Sequence, residues 1–129
     1  MDIRVPPQVV LISGASGFLG GELLSVLARK SNVHIIALTS NPEKIRQRFP
    51  LVGNLECYSV MDWKNGKLPF GKVDVLIHCA FSRSNHMQDL AKSLQFTRDL
   101  FQNAIGKGRA NIINISSQSV YGRNKDVPW

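Results

Sequence analysis

Residues 9–20 read Val9-Val10-Leu11-Ile12-Ser13-Gly14-Ala15-Ser16-Gly17-Phe18-Leu19-Gly20. The apolar run at the start of this stretch predicts a buried strand, which Ser13-Gly14 closes. Beyond the glycines, apolar residues recur at helical spacing as far as Leu27, which predicts a helix over 18–30. A strand, a glycine loop and a helix in this order favour an anion site, because the first amides of a helix lack intrahelical partners.

Each of the three glycines has an expected role in such a loop. Gly14 makes the tight turn, Gly17 leaves the backbone open to phosphate groups, and Gly20 lets the helix pack closely on the sheet. The predicted ligand is the pyrophosphate of a nicotinamide dinucleotide. The alternative is a glycine-rich turn that holds no ligand. The loop carries no Gly-Lys-Ser or Gly-Lys-Thr, which excludes a P-loop nucleotidase.

The rest of the chain alternates short apolar runs with longer amphipathic ones. Further strands are predicted over 33–38, 55–60, 73–79 and 111–115. A short basic helix is predicted from Asn41 to about Phe49, and a long one over 86–105 that Gly106 stops. One face of the long helix is expected to carry Met87, Leu90, Leu94, Thr97, Phe101 and Ala104. This alternation predicts the α/β class, as one Rossmann-type, doubly wound parallel sheet with helices on both faces over residues 1–129.

Composition narrows the class of protein. The 129 residues are 43% hydrophobic, and no run approaches the length of a membrane span. The N-terminus is too short and polar for a secretory signal. Cys57 and Cys79 have no close-spaced Cys or His partner that would suggest a metal site, and buried thiols favour a cytoplasmic setting.

The formal net charge of +7 leaves nucleic-acid binding open as an alternative. The basic residues are scattered, however, and the only local cluster is Lys44, Arg46 and Arg48. No aromatic residues interleave with it as in a base-stacking surface. A basic surface would also attract an anionic cofactor or substrate.

Four motifs together resemble the extended branch of the short-chain dehydrogenase/reductase superfamily, which contains sugar-nucleotide epimerases and dehydratases. Their order and spacing along the chain are those of the family. The motifs are Val10 to Gly20 with its G-x-x-G-x-x-G spacing, Asp62, Val75-Leu76-Ile77-His78-Cys79-Ala80, and Ile115-Ser116-Ser117-Gln118-Ser119-Val120-Tyr121-Gly122.

The resemblance implies a set of cofactor contacts. The phosphate and ribose path would be lined by Ala15, Ser16, Phe18 and Leu19. Asp62 would accept a hydrogen bond from the adenine amino group, or else be a solvated turn residue. At Ala80 and Phe81, the end of the fourth strand, the chain would lie next to the cofactor ribose. His78 is expected to be a structural residue of its strand, since no acidic residue adjoins it.

The end of the second strand bears on the choice between NAD and NADP. An NAD-selective site usually carries Asp or Glu there to bind the ribose 2′-hydroxyl. Here Thr39 and Ser40 stand at that point, with Lys44 and Arg46 nearby. A guanidinium can pair with a 2′-phosphate, which favours NADP over NAD.

The resemblance also implies a Ser-Tyr-Lys catalytic site, with Ser117 orienting the substrate oxygen. Tyr121 and Lys125 satisfy Y-x-x-x-K, but Gly122 and Asn124 between them favour a loop, so the two side chains need not share a face. In the extended branch the catalytic Tyr and Lys come about two dozen residues later, on a helix. We therefore expect Tyr121 and Lys125 not to be the catalytic pair.

These inferences predict the cofactor half of a sugar-nucleotide epimerase, dehydratase or reductase, whose sheet stops after the fifth strand. The catalytic pair and the part that binds the nucleotide sugar are expected beyond Trp129. A non-catalytic dinucleotide-binding regulatory module is the alternative, which fold alone does not separate. The resemblance further implies a homodimer through the helix at 86–105.

Overall fold

The computed structural model describes residues 6–79, 87–107 and 110–115. Five strands are present: β1 (Gln8–Ser13), β2 (Val33–Thr39), β3 (Leu55–Ser59), β4 (Val75–His78) and β5 (Asn111–Asn114). The helices are α1 (Phe18–Leu27), α2 (Pro42–Arg48), α3 (Val60–Lys64) and α4 (Met87–Lys107), with a 3₁₀ turn over Phe70–Lys72.

The five strands form one parallel sheet in the order β3-β2-β1-β4-β5. From β1 the chain first moves outward to one edge through β2 and β3, and then crosses to β4 and β5 on the other side. The strand order therefore reverses between β1 and β4, which is where open α/β sheets leave a ligand crevice at the carboxyl ends of the strands. The predicted fold class is confirmed.

Hydrophobic side chains on both faces of the sheet are buried, because successive residues of a strand point to opposite faces. On one face, Val10 and Ile12 of β1 pack with Leu24 of α1 and Ile45 of α2. The other face is covered by α4 and the 3₁₀ turn. Its buried residues include Leu11, Ile36, Leu76, Leu100 and Ala104. Helices on both faces make the sheet doubly wound, as the alternation predicted.

Several predicted boundaries were wrong by a few residues. The helix predicted to reach residue 30 ends at Leu27 and continues as a tighter turn, in which the Lys30 amide donates to the Leu27 carbonyl. The third strand stops at Ser59, because that residue caps α3, a helix that the sequence reading did not predict. The fourth and fifth strands are shorter than predicted.

Two predictions about α4 were also wrong. The helix runs through Gly106 to Lys107. No atom would lie within 4 Å of a Cβ at Gly106, and one exposed glycine costs a helix only about 1 kcal/mol. The predicted apolar face is also rotated, since Leu94 is 70% exposed while Leu100 is fully buried.

The strand β5 forms an edge of the sheet within the described residues, as expected. Its Ile113 is 48% exposed on the face that α1 and α2 cover further along the sheet. Among the helices described, none is long and apolar enough for a membrane crossing.

Candidate dinucleotide-binding site

The strand register brings the predicted cofactor residues to one edge of the sheet. Ser13 pairs with Leu38 of β2 and with His78 of β4, and Thr39 pairs with Ser59 of β3. The carboxyl ends of four parallel strands are therefore level with one another. The glycine loop, Ser40 and Asp62 all follow directly from these ends.

The glycine loop leaves β1 in a tight turn. Gly14 has a φ of 69°, a left-handed conformation that side chains with a Cβ rarely adopt. The Leu38 carbonyl accepts from the Gly14 amide at 3.1 Å, which ties the loop to β2. The Gly17 amide donates to the Gly14 carbonyl at 3.1 Å. The turn predicted at Gly14 is thus confirmed.

Gly20 is where the helix meets the loop. A Cβ at this position would collide with the Gly14 carbonyl oxygen and would lie 2.9 Å from the Ala15 Cα. Because both neighbours are backbone atoms, they cannot move aside as a side chain can. Gly20 was expected to allow close packing of the helix on the sheet; the close approach that it allows is that of α1 to the glycine loop.

The first amides of α1 are free to bind an anion. The first bond of the helix runs from the Gly21 amide to the Gly17 carbonyl at 2.9 Å, and no side chain caps the helix. In the part of the chain described, the amides of Phe18, Leu19 and Gly20 have no acceptor. These donors and the positive end of the helix dipole favour a phosphate group.

Gly17 leaves open space in front of these amides. A Cβ at Gly17 would meet only the Gly14 carbonyl oxygen, at 3.3 Å. The adjoining Phe18 side chain is 82% exposed. Amides without acceptors beside a position that lacks a side chain are an arrangement that favours phosphate oxygens close to the backbone.

Thr39 and Ser40 differ in their freedom to bind a ribose. The buried Thr39 Oγ1 accepts from the Asn41 amide at 3.0 Å, and the Asn41 side chain caps α2 by accepting from the Lys44 amide at 3.3 Å. Thr39 is only 3% exposed, whereas Ser40 is exposed. These contacts fix where α2 begins beside the site.

The basic cluster of α2 is partly neutralised by carboxylates. Arg46 donates to Glu43 at 2.6 Å, and Arg48 lies 3.5 Å from Glu22 of α1. Two of the three cluster residues therefore have an anionic partner within the described chain. Both pairs are exposed to solvent, so they reduce the positive charge of the cluster only slightly.

Asp62 has a structural role that the sequence reading missed. Its Oδ2 accepts from the Ser59 amide at 2.9 Å, and the Asp62 amide donates to Ser59 Oγ at 3.0 Å, a capping box at the start of α3. The bond from the Ser59 amide lowers the pKa of the Asp62 carboxyl. The signal was present in the sequence as Ser-x-x-Asp. The adenine contact stays a prediction.

His78 is buried beneath the loop, as expected of a structural residue. Its Nδ1 lies 2.5 Å from Ser13 Oγ and its Nε2 lies 2.9 Å from Thr97 Oγ1. Burial lowers the pKa of the imidazole. Sequence reasoning missed both partners, because only the strand register places Ser13 beside His78.

The remaining predicted residues lie outside the described part of the chain. They are Ala80 and Phe81 of the cofactor set, and Ser117, Tyr121 and Lys125 of the catalytic set.

A family model matches residues 10–128, nearly the whole chain, and its description is the NAD dependent epimerase/dehydratase family. The chain belongs to this family. The resemblance inferred from the motifs is confirmed. No curated protein matches the sequence.

Solved structures of several epimerases have the same fold over most of this chain. UDP-glucuronic acid 4-epimerase from Bacillus cereus, solved in complex with NAD, is 23% identical, with 92% of this chain and 43% of that chain covered at a TM-score of 0.74. ADP-L-glycero-D-manno-heptose-6-epimerase from Helicobacter pylori is also 23% identical, with 100% and 45% covered at a TM-score of 0.70. UDP-N-acetylglucosamine 4-epimerase from Methanobrevibacter ruminantium is 17% identical, with 96% and 42% covered at a TM-score of 0.72. The chain thus spans less than half the length of these epimerases.

Proposed function

We propose that this chain is the dinucleotide-binding part of an NAD(P)-dependent enzyme that acts on a nucleotide sugar, as an epimerase, dehydratase or reductase. One observation carries the proposal: free amides at the start of α1 face an opening that Gly17 keeps clear, at the point where the strand order reverses. Family membership supports the same reading.

The residues at the carboxyl edge would divide the cofactor among them. The amides of Phe18 and Leu19 would bind the pyrophosphate, Ser40 and the Thr39 hydroxyl would bind the adenine ribose, and Asp62 would reach the adenine through its second carboxylate oxygen. When bound, the nicotinamide supplies hydride transfer to and from a sugar carbon. Ser117 would hold the sugar oxygen during that transfer.

We expect NADPH to bind about tenfold more tightly than NADH, because a hydrogen bond from Arg46 to the 2′-phosphate is worth roughly 1.5–3 kcal/mol. Arg46→Gln should remove most of this preference in calorimetric titrations. Glu43→Gln should increase it about threefold, because Glu43 competes for the same guanidinium. Arg48→Gln is the matched control, since Arg48 pairs with Glu22 instead. Equal affinity for the two cofactors in the unaltered chain would contradict the preference.

We expect residues 1–129 alone to show no turnover, even with cofactor bound. The resemblance places the catalytic Tyr and Lys on a helix beyond Trp129, and the chain spans less than half of the epimerases that it matches. The assay is a panel of nucleotide sugars with NAD and NADP, applied to the unaltered chain and to Tyr121→Phe. Turnover that Tyr121→Phe abolishes would show that Tyr121 and Lys125 are the catalytic pair after all. A Tyr-x-x-x-Lys helix beyond Trp129 would favour an enzyme over a regulatory module.

A homodimer through α4 is part of the proposal. Leu94 and Ile105 are 70% and 63% exposed. They are eleven residues apart, about three helical turns, so both lie on the same side of α4. Exposed Arg98 and Gln102 lie between them, so this side of α4 offers two apolar contacts within a polar surface for packing against a second helix. The free thiols of Cys57 and Cys79 are consistent with the proposed cytoplasmic location.

A further inference from the structure

A chain of hydrogen bonds, buried at Ser13 and His78 and half-buried at Thr97, joins β1, β4 and α4 next to the glycine loop. Ser13 Oγ lies 2.5 Å from His78 Nδ1, and His78 Nε2 lies 2.9 Å from Thr97 Oγ1. The Cys79 amide donates to Ser13 Oγ at 3.2 Å and to the Ser13 carbonyl at 3.1 Å. We call Ser13, His78 and Thr97 the relay.

One direction of donation satisfies every group of the relay. In it the Thr97 hydroxyl donates to the Ser93 carbonyl at 3.0 Å, and its oxygen accepts from His78. His78 then carries its proton on Nε2 and presents Nδ1 as an acceptor. The Ser13 hydroxyl in turn donates to Nδ1 and accepts from the Cys79 amide. Every polar group of the relay has a partner, and no buried side-chain polar atom among the described residues lacks one.

Aromatic side chains of α4 enclose the imidazole. The Phe96 ring is stacked with it at 6.2 Å between centroids, and the Phe101 ring meets it edge-on at 5.3 Å. Burial is the only cause of the lowered pKa of His78, and no charged group of the described residues contributes. Burial therefore disfavours the charged imidazolium, and a neutral ring suits the donation pattern of the relay.

The position of the relay links it to the candidate site. Ser13 directly precedes Gly14, and His78 and Cys79 end the strand on the other side of the point where the strand order reverses. The relay thus adds side-chain hydrogen bonds to the end of the backbone ladder that joins the two strand ends bordering the crevice. Binding groups must be held within about 0.5 Å of their productive geometry, which their own partners have to ensure.

We propose that His78 and Thr97 are positioning residues for the glycine loop: through Ser13 they hold the loop amides in their binding geometry and raise dinucleotide affinity without touching the ligand. This inference rests on the proposed function for its ligand. The ordering of the loop, however, is a property of the free chain and is measurable without any ligand.

The test compares Thr97→Val, which keeps the shape of the side chain and removes its hydroxyl, with Thr97→Ser, which keeps the hydroxyl. In Thr97→Val the free protein should show amide exchange at Gly14, Gly17 and Cys79 about tenfold faster, since one buried partner is lost. The ¹⁵N shifts of the His78 ring should also move away from the pure Nε2–H tautomer. The affinity for NADH and NADPH should fall about tenfold, and Thr97→Ser should restore all three.

Leu100→Ala is the matched control, because Leu100 is fully buried on the same helix and outside the relay. It should lower the unfolding temperature at least as much as Thr97→Val while leaving loop exchange and affinity unchanged. Loop exchange unchanged in Thr97→Val, or equally accelerated in Leu100→Ala, would overturn the proposal. If loop exchange responds as expected but the unaltered chain binds no dinucleotide, the relay orders the loop and the proposed function is what fails.

Discussion

Gly17→Val should abolish measurable dinucleotide binding while the unfolding temperature of the chain stays nearly unchanged. Gly17 has a φ of −77° and a ψ of 177°, an extended conformation open to any residue, and its Cβ would meet one oxygen at 3.3 Å. This backbone oxygen would have to move by a few tenths of an ångström, so the fold should accept a side chain here at a small cost in stability. The ligand does not, because the valine methyl groups would occupy the space in front of the Phe18 and Leu19 amides.

The expected loss is large because several contacts fail together. Each charge-assisted bond from an amide to a phosphate oxygen is worth about 1.5–3 kcal/mol, so losing two weakens binding about 100-fold or more. Calorimetric titration measures the affinity, and circular dichroism measures the unfolding temperature. Gly53→Val is the matched control, since Gly53 has no atom within 4 Å of its Cβ position and lies outside the carboxyl edge. Undiminished affinity in Gly17→Val would show that the pyrophosphate lies elsewhere.

Gly20→Ala should instead damage the fold. The added methyl group would collide with the Gly14 carbonyl and crowd the Ala15 Cα, so either the loop or the start of α1 must shift. Overpacking against atoms that cannot yield costs about 3 kcal/mol, which should lower the unfolding temperature of a domain of this size by about 10 °C.

The same glycine-to-alanine change at Gly106 should have the opposite effect and raise the stability of the chain. Gly106 lies in α4 with open space around its Cβ position, and alanine should stabilise the helix there by up to about 1 kcal/mol. Thermal and denaturant unfolding of the two variants measure both effects. A Gly20→Ala variant as stable as the unaltered chain would mean that α1 does not pack against the loop as described.

The sequence was sufficient for the fold class because its signals are local and agree with one another. The apolar run before Gly14 and the helical spacing after Gly20 predicted β1 and α1, and the alternation that follows predicted a parallel sheet. The boundaries were less predictable, since they depend on competition between neighbouring elements. Ser59 both ends β3 and caps α3, and the capping box with Asp62 places Val60, predicted to continue the strand, in the helix instead.

The site was predictable only where residues adjoin in the sequence. The glycine loop contains all of its own donors, so its geometry followed from spacing. The relay depends on the register of β1 with β4 and on the rotation of α4, and neither is encoded in a short window. The same rotation explains why Leu94 was wrongly placed in the core and Leu100 was missed. The Arg46–Glu43 pair was likewise overlooked, because the basic residues of α2 were read without their acidic neighbour.

Calorimetric titration of the unaltered chain with NADPH and with NADH tests the central claim most directly. We expect saturable binding of one dinucleotide per chain, with NADPH the tighter ligand. Added DNA or RNA should leave this binding intact. No heat of binding with either dinucleotide, from a chain whose circular dichroism shows it folded, would contradict the account.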